Sequence, residues 1–331
     1  MGPLERECTG GAAGIAGPRK AMIGERARSG TPQLRGRSPW PRRLTAALPL
    51  LWMAVFFLLP FLFVLKISFA EAVIARPPYT PLISFVEGRP RITVSFASYA
   101  YIFSDPLYRD AIMTSLWLAA ATTVLALMLG YPIAYAIARS RGRRQLLLLA
   151  LVTVPFWSSF LLRVYAWKLL LQTNGPINAL LMAAGILEQP LAILHSNAAV
   201  LLGMVYSYLP FMVLPLYAQL ERLDPALLEA AIDLGASPWR TFRRVIWPLS
   251  RAGVVAGSAL VFIPAVGEFV VPELLGGPHT TMIGRLIWTE FFANRDWPMA
   301  SALAVIMLAL LVLPLVLFER RVVAAQAGDR P

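Results

Sequence analysis

Glu268 is the residue in this chain best placed to act on a charged solute. It is the seventeenth residue of an apolar block running from Ala252 to Leu275, with Pro264 and Gly267 close by. At 1.5 Å per helical residue, this puts it roughly 25 Å from the start of the block. An acid inside a membrane span is costly and usually has a function. Three readings stay open. The carboxylate attracts an ammonium group in a wet cavity, pairs with Arg163 or Lys168, or caps a helix that breaks at Gly267. Glu273 lies near the same end of the block. Trp157, Tyr165, Tyr206 and Tyr208 carry aromatic faces suited to a cation, although aromatics near span ends also form interfacial belts. Asp296 and Arg295 read as a loop-ordering pair or as a docking contact for a partner.

Other chemistries lack their residues. His195 and His279 stand alone, without the paired spacing of a metal site. There is no G-x-x-x-x-G-K-S/T phosphate loop, so ATP chemistry in this polypeptide is not expected. There is no G-x-S-x-G nucleophile motif either. Cys8 is the single cysteine and cannot close an intramolecular disulfide. The expectation is a protein with no catalytic residues, no metal and no cofactor of its own.

The elements that position Glu268 follow from composition. Of 331 residues, 58% are hydrophobic and 15% charged, against about 25% charged in an ordinary soluble domain. Six apolar blocks run approximately Leu44–Phe69, Ala111–Ala138, Gln145–Leu162, Ala198–Leu220, Ala252–Leu275 and Met299–Phe318. Each approaches the ~20 residues that cross a bilayer as a helix. An all-α, polytopic membrane protein with about six transmembrane helices is therefore expected, its solvent the lipid bilayer. The uncharged stretch Leu44 to Leu65 is too long for a cleaved signal core and reads as a retained span.

Charge gives the orientation. Segments 1–43, 139–144, 221–251 and 319–331 hold 21 Lys and Arg, while the alternating segments 70–110, 163–197 and 276–298 hold 8. The positive-inside bias places both termini in the cytoplasm. It also accounts for the net charge of +12 without a nucleic-acid partner. Residues 1–43 read as a disordered, basic cytoplasmic tail, and 44–331 as the transmembrane domain.

Segment 221–251 is too polar to span and is full of helix punctuation. Asp224 is suited to cap a helix that has Pro225 in its first turn. Leu227, Leu228, Ala231 and Leu234 share a face, and Gly235 supplies a left-handed end. Ser237-Pro238 repeats the start signal for a second short helix, with Trp239, Phe242, Arg243 and Ile246 following. The expected product is a protruding cytoplasmic knuckle shaped to be gripped.

Glu229-Ala230-Ala231, then Gly235, then Val245-x-Trp247-Pro248, resemble the EAA loop of permease subunits in binding-protein-dependent ABC importers. That family's pattern has Ile and Leu where this chain has Val245 and Trp247. The resemblance implies a type I ABC importer permease fold in the inner membrane. It further implies a coupling role for the loop, with Glu229, Ala230, Ala231, Gly235, Trp239, Arg240, Phe242 and Pro248 meeting a separate ATPase. The implied partners are a second permease subunit, two ATP-binding cassette ATPase subunits that bind the ATP, and an extracytoplasmic solute-binding protein. Stretches 155–167, 175–178, 263–273 and 282–298 resemble the spermidine/putrescine type, closest to the putrescine branch. The resemblance thus implies a polyamine as solute. The same machine carrying iron, an opine or another amine is the alternative, and a membrane-bound enzyme is a weaker one.

Overall fold

The structure, a computed structural model, describes residues 47–86, 89–278 and 280–327. The basic tail 1–43, Cys8 and His279 lie outside the described residues. By compactness the chain divides into two units between Phe57 and Leu58. The first described element is an apolar helix, α1 (Ala47–Ile67). A short antiparallel hairpin follows, β1 (Ile83–Val86) and β2 (Arg89–Ile92), with Ile83 opposite Ile92. This pair departs from a purely helical expectation. It belongs to a stretch whose Arg-Pro and Gly-Arg-Pro sequences favour turns over helix.

Helices complete the chain: α2 (Ala97–Ser104), α3 (Pro106–Arg139), α4 (Arg143–Trp157), α5 (Phe160–Leu170), α6 (Pro176–Ala183) and α7 (Asn197–Glu221). They continue with α8 (Pro225–Asp233), α9 (Pro238–Val266), α10 (Val270–Leu275), α11 (Ile283–Trp288) and α12 (Trp297–Ala327). Among the described residues α1, α3, α7 and α9 are long and apolar enough to cross a membrane. The first part of α12, Trp297–Leu313, is a shorter apolar helix.

Two expected spans are not continuous. The third block bends by 93° between α4 and α5, at extended Ser158. Pro155 lacks the N–H that would bond back along α4, and the chain tightens into a 3₁₀ turn over Val154–Trp157 before it breaks. The fifth block stops at Val266 rather than Leu275, because Pro264 removes one donor and Gly267 ends the helix. Glu268 therefore lies at a break between α9 and α10, not inside a helix.

The core is the bundle of α3, α7 and α9, with Leu118, Ala126, Ala134, Met204, Met212, Leu216, Val261 and Ala265 fully buried. Lipid tails are as apolar as these side chains, so close packing rather than hydrophobic exclusion must hold the helices together. Small residues permit it. A Cβ on Gly257 would lie 2.8 Å from Met212 Sδ, and one on Gly253 2.8 Å from Gln219 Cβ. Gly257→Leu is accordingly expected to pry α7 from α9 at a cost of about 1–3 kcal/mol. A lowered melting temperature of the detergent-solubilised protein would show it, and an unchanged one would contradict this packing. Polar bonds add register. Tyr131 and Ser250 hydroxyls meet at 2.8 Å between α3 and α9. Gln145 Nε2 donates to Tyr217 Oη and Glu221 Oε1, each at 2.9 Å, tying α4 to α7.

Candidate functional site

The knuckle between α7 and α9 is built by local rules. Asp224 Oδ1 accepts from Ala226 N at 2.9 Å and starts α8. Gly235 ends it with φ at 75°, a left-handed conformation that costs a residue with a Cβ. Ala236 N donates to Ala231 O at 3.0 Å and Gly235 N to Ile232 O at 2.8 Å. This 6→1 and 5→2 pair is the Schellman arrangement. Ser237 Oγ then accepts from Arg240 N at 3.4 Å and opens α9.

The second half of the knuckle is not a separate short helix as the sequence suggested. Pro238–Thr241 runs through a π turn, Phe242–Ile246, directly into the long helix that ends at Val266. Trp247 N bonds to Phe242 O across that turn, and Pro248, next in the chain, has no N–H to close a normal α turn onto Arg244. Knuckle and span are thus one continuous rod.

The expected coupling residues fall on this rod and on α8. Trp239 stacks on Phe242 with centroids 5.5 Å apart, and Phe242 meets the edge of Tyr131 on α3 at the same 5.5 Å. Glu229, Ala230, Arg240 and Pro248 are exposed, and Ala231 is half-buried. The predicted apolar face of α8 is split. Leu228 and Ala231 turn inward, whereas Leu227 and Leu234 stay exposed, Leu234 at 88%. With Trp239 69% exposed, the knuckle presents large apolar side chains at its tip. An exposed apolar cluster on a polar segment is a candidate interaction surface.

The carboxylate at the break is engaged on both oxygens. Glu268 Oε1 accepts from the backbone N–H groups of Phe269 at 3.1 Å, Val270 at 2.9 Å and Val271 at 3.4 Å. Val270 and Val271 carry the first amides of α10, and Phe269 lies just before them, so Glu268 caps its start. Its Oε2 accepts a hydrogen bond from the Tyr208 hydroxyl on α7. Glu268 is only 8% exposed. Gly284 closes over the break: a Cβ there would sit 2.5 Å from Gly267 O and 2.8 Å from Glu268 O.

The ion-pair reading of Glu268 is not what the structure contains. Arg163 lies over the rings of Phe156 and Phe160, at 5.3 and 5.7 Å. Among the described residues the ion pair is Arg285 Nε to Glu273 Oε2 at 2.7 Å. Of the four aromatic candidates, Tyr208 alone is bonded to Glu268. Tyr206 sits two residues away, about 200° around the helix, and packs edge-on to Trp167 at 5.4 Å. Together they line an apolar cavity of about 500 Å³ with Leu201 and Leu209. Tyr165 is exposed, and Trp157 is 91% exposed.

A second buried acid escaped the sequence reading. Glu290, in a π turn Thr289–Ala293, accepts from Tyr108 Oη at 2.8 Å and from Asn294 Nδ2 at 2.9 Å. Its signal was an acid within the mostly apolar run Leu286 to Ala293, placed in a loop by the span count. Asp296 does not pair with Arg295; its Oδ1 accepts from Met299 N at 2.9 Å at the start of α12. Burial raises the Asp296 carboxyl above its ordinary value, against the lowering effect of that hydrogen bond.

Residues 127–325, which hold the knuckle, the break and most of the bundle, match the family described as binding-protein-dependent transport system inner membrane component. The chain belongs to that family. It is a multi-pass permease, a transport component and not an enzyme, carrying no cofactor because ATP is bound by the importer's ATPase. Its relatives include the spermidine/putrescine transport system permease protein PotB of Haemophilus influenzae, 37% identical over 279 residues, 84% of this chain and 93% of that one. PotB of Escherichia coli strain K12 is 39% identical over 269 residues, 81% and 93% of the two chains. A crystal structure of a bacterial ABC transporter that imports the acidic polysaccharide alginate matches with a TM-score of 0.61 at 16% identity. That match covers 85% of this permease and 96% of the matched chain. It supports the permease fold, in agreement with the all-helical membrane architecture read from the apolar blocks.

Proposed function

We propose that this permease translocates a polyamine such as putrescine or spermidine, delivered by an extracytoplasmic binding protein. The observation that carries the reading is 37–39% identity to spermidine/putrescine permeases over more than four fifths of the chain. The putrescine branch is our preferred assignment. In the assembly we propose, this chain pairs with a second permease and two ATPases, its termini are cytoplasmic, and the knuckle seats in an ATPase cleft. Glu229 and Arg240 supply polar contacts there, and Trp239 and Leu234 supply apolar anchors.

The path for the amine runs past the break in span five, and Trp157, exposed beside the separate break in span three, offers a cation–π face along it. Tyr165, Tyr206 and Tyr208 are the further aromatic candidates along it. A second reading, the same importer with a different solute, is favoured by one observation. Both oxygens of Glu268 are occupied by hydrogen bonds from the chain itself, which leaves less of its charge for a passing ammonium. Reconstituting the complex with its binding protein decides between them. Stimulation of ATP hydrolysis by putrescine or spermidine, but not by ferric complexes or opines, is the expected result. Stimulation by a non-amine alone overturns the polyamine assignment.

A further inference from the structure

A groove of about 470 Å³ opens between α3 and the first turns of α9, walled by Met128, Tyr131, Pro132, Tyr135, Phe242 and Trp247. On α3 its lining follows the i, i+3, i+4, i+7 stripe of one helix face, so the groove runs along the helix axis for roughly 10 Å. The Tyr131 hydroxyl is already bonded to Ser250, which leaves the wall hydrocarbon and aromatic. Met128, near the inner end, is 66% exposed. The other end carries positive charge. Arg139, one turn past Tyr135, holds its guanidinium 5.4 Å from the centre of the Tyr135 ring. Arg243 and Arg244 follow Phe242 directly and are exposed. Among the described residues none of these three arginines is in an ion pair.

An apolar trough in a membrane-spanning helix, ending in unneutralised guanidinium at the span's end, is complementary to one molecule type: an acyl chain with an anionic head. Basic pockets between membrane helices bind such headgroups. We propose that this groove holds one acyl chain of an anionic phospholipid, with its phosphate on Arg139 and the neighbouring Arg243 and Arg244 adding to the local positive potential. The chain then packs on Phe242 and Trp247, which flank the π turn joining knuckle to span. A lipid in the groove braces the rod through which the knuckle would act.

The test uses the whole importer complex in nanodiscs containing both phosphatidylglycerol and phosphatidylcholine, followed by detergent extraction and mass spectrometry of retained lipid. Wild type is expected to retain phosphatidylglycerol over phosphatidylcholine. Arg139→Gln should lower that retention about five-fold, the effect of one basic residue at a membrane surface, while Arg139→Lys largely restores it. Met128→Trp, which fills the groove from its exposed side, should abolish it with Arg139 intact. Equal retention of the two lipids by wild type overturns the proposal. So does phosphatidylglycerol retention unchanged in both Arg139→Gln and Met128→Trp. A photo-crosslink from position 128 to another subunit overturns it as well, since protein then fills the groove.

Discussion

Gly235→Val is expected to lower solute uptake about ten-fold or more while the protein still inserts and the binding protein still docks. Gly235 has φ at 75° and open space around a notional Cβ, so the effect is conformational rather than steric. A left-handed residue with a Cβ costs about 1–2 kcal/mol, and a β-branched one more. The chain relieves that strain by leaving the left-handed region, which breaks the paired bonds from Gly235 and Ala236 to Ile232 and Ala231. Leu234 and Trp239 then no longer share one tip. If an ATPase reads that tip, losing one buried aromatic anchor costs about 2 kcal/mol or more of binding. Proteoliposome uptake measured beside ATP hydrolysis checks this: uptake falls and solute no longer stimulates hydrolysis. Coupled transport at the wild-type rate in Gly235→Val would refute the role of the turn. Gly235→Asn, which tolerates the left-handed region, should retain most of the activity.

Glu268→Ala is expected to be the most damaging single change at the break. It leaves three backbone amides at the start of α10 and the Tyr208 hydroxyl without their acceptor in a buried site. Each such group costs about 1–3 kcal/mol when left unsatisfied. Poor recovery of folded protein and loss of uptake should follow. Glu268→Gln separates structure from charge. Its amide oxygen can still accept from the α10 backbone, and its NH₂ can donate to Tyr208, so the protein should fold and hydrolyse ATP. Under the cation-path proposal, amine uptake by Glu268→Gln nevertheless falls. Full uptake in that variant would leave Glu268 a capping residue and move solute selection elsewhere.

Much of the site was written in local sequence. Asp224-Pro225, Gly235 and Ser237-Pro238 each act on backbone within a few residues, and each appears where its chemistry places it. The apolar blocks likewise located helices, because lipid demands internally bonded backbone. What local pattern cannot carry is pairing across the fold. Tyr208 meets Glu268 from sixty residues away, and Tyr108 meets Glu290 from 182. An apolar count did not reveal the break at Ser158, since a block remains apolar whether its helix is straight or bent, whereas Pro264 and Gly267 did signal a possible break beside Glu268. The π turn at Phe242–Ile246 was not read from sequence although its cause is local: Pro248 has no N–H to close an α turn onto Arg244.

In the assembly proposed for this permease, an ATPase clasps the knuckle and its motion passes along α9. A photoreactive amino acid in place of Leu234, the most exposed apolar residue of the knuckle, tests it most directly in the assembled importer. Irradiation is predicted to give a crosslink to the ATPase subunit whose yield changes between nucleotide-free and ATP-bound states. Adducts with lipid or with the extracytoplasmic binding protein, and none with the ATPase in either state, would contradict the account.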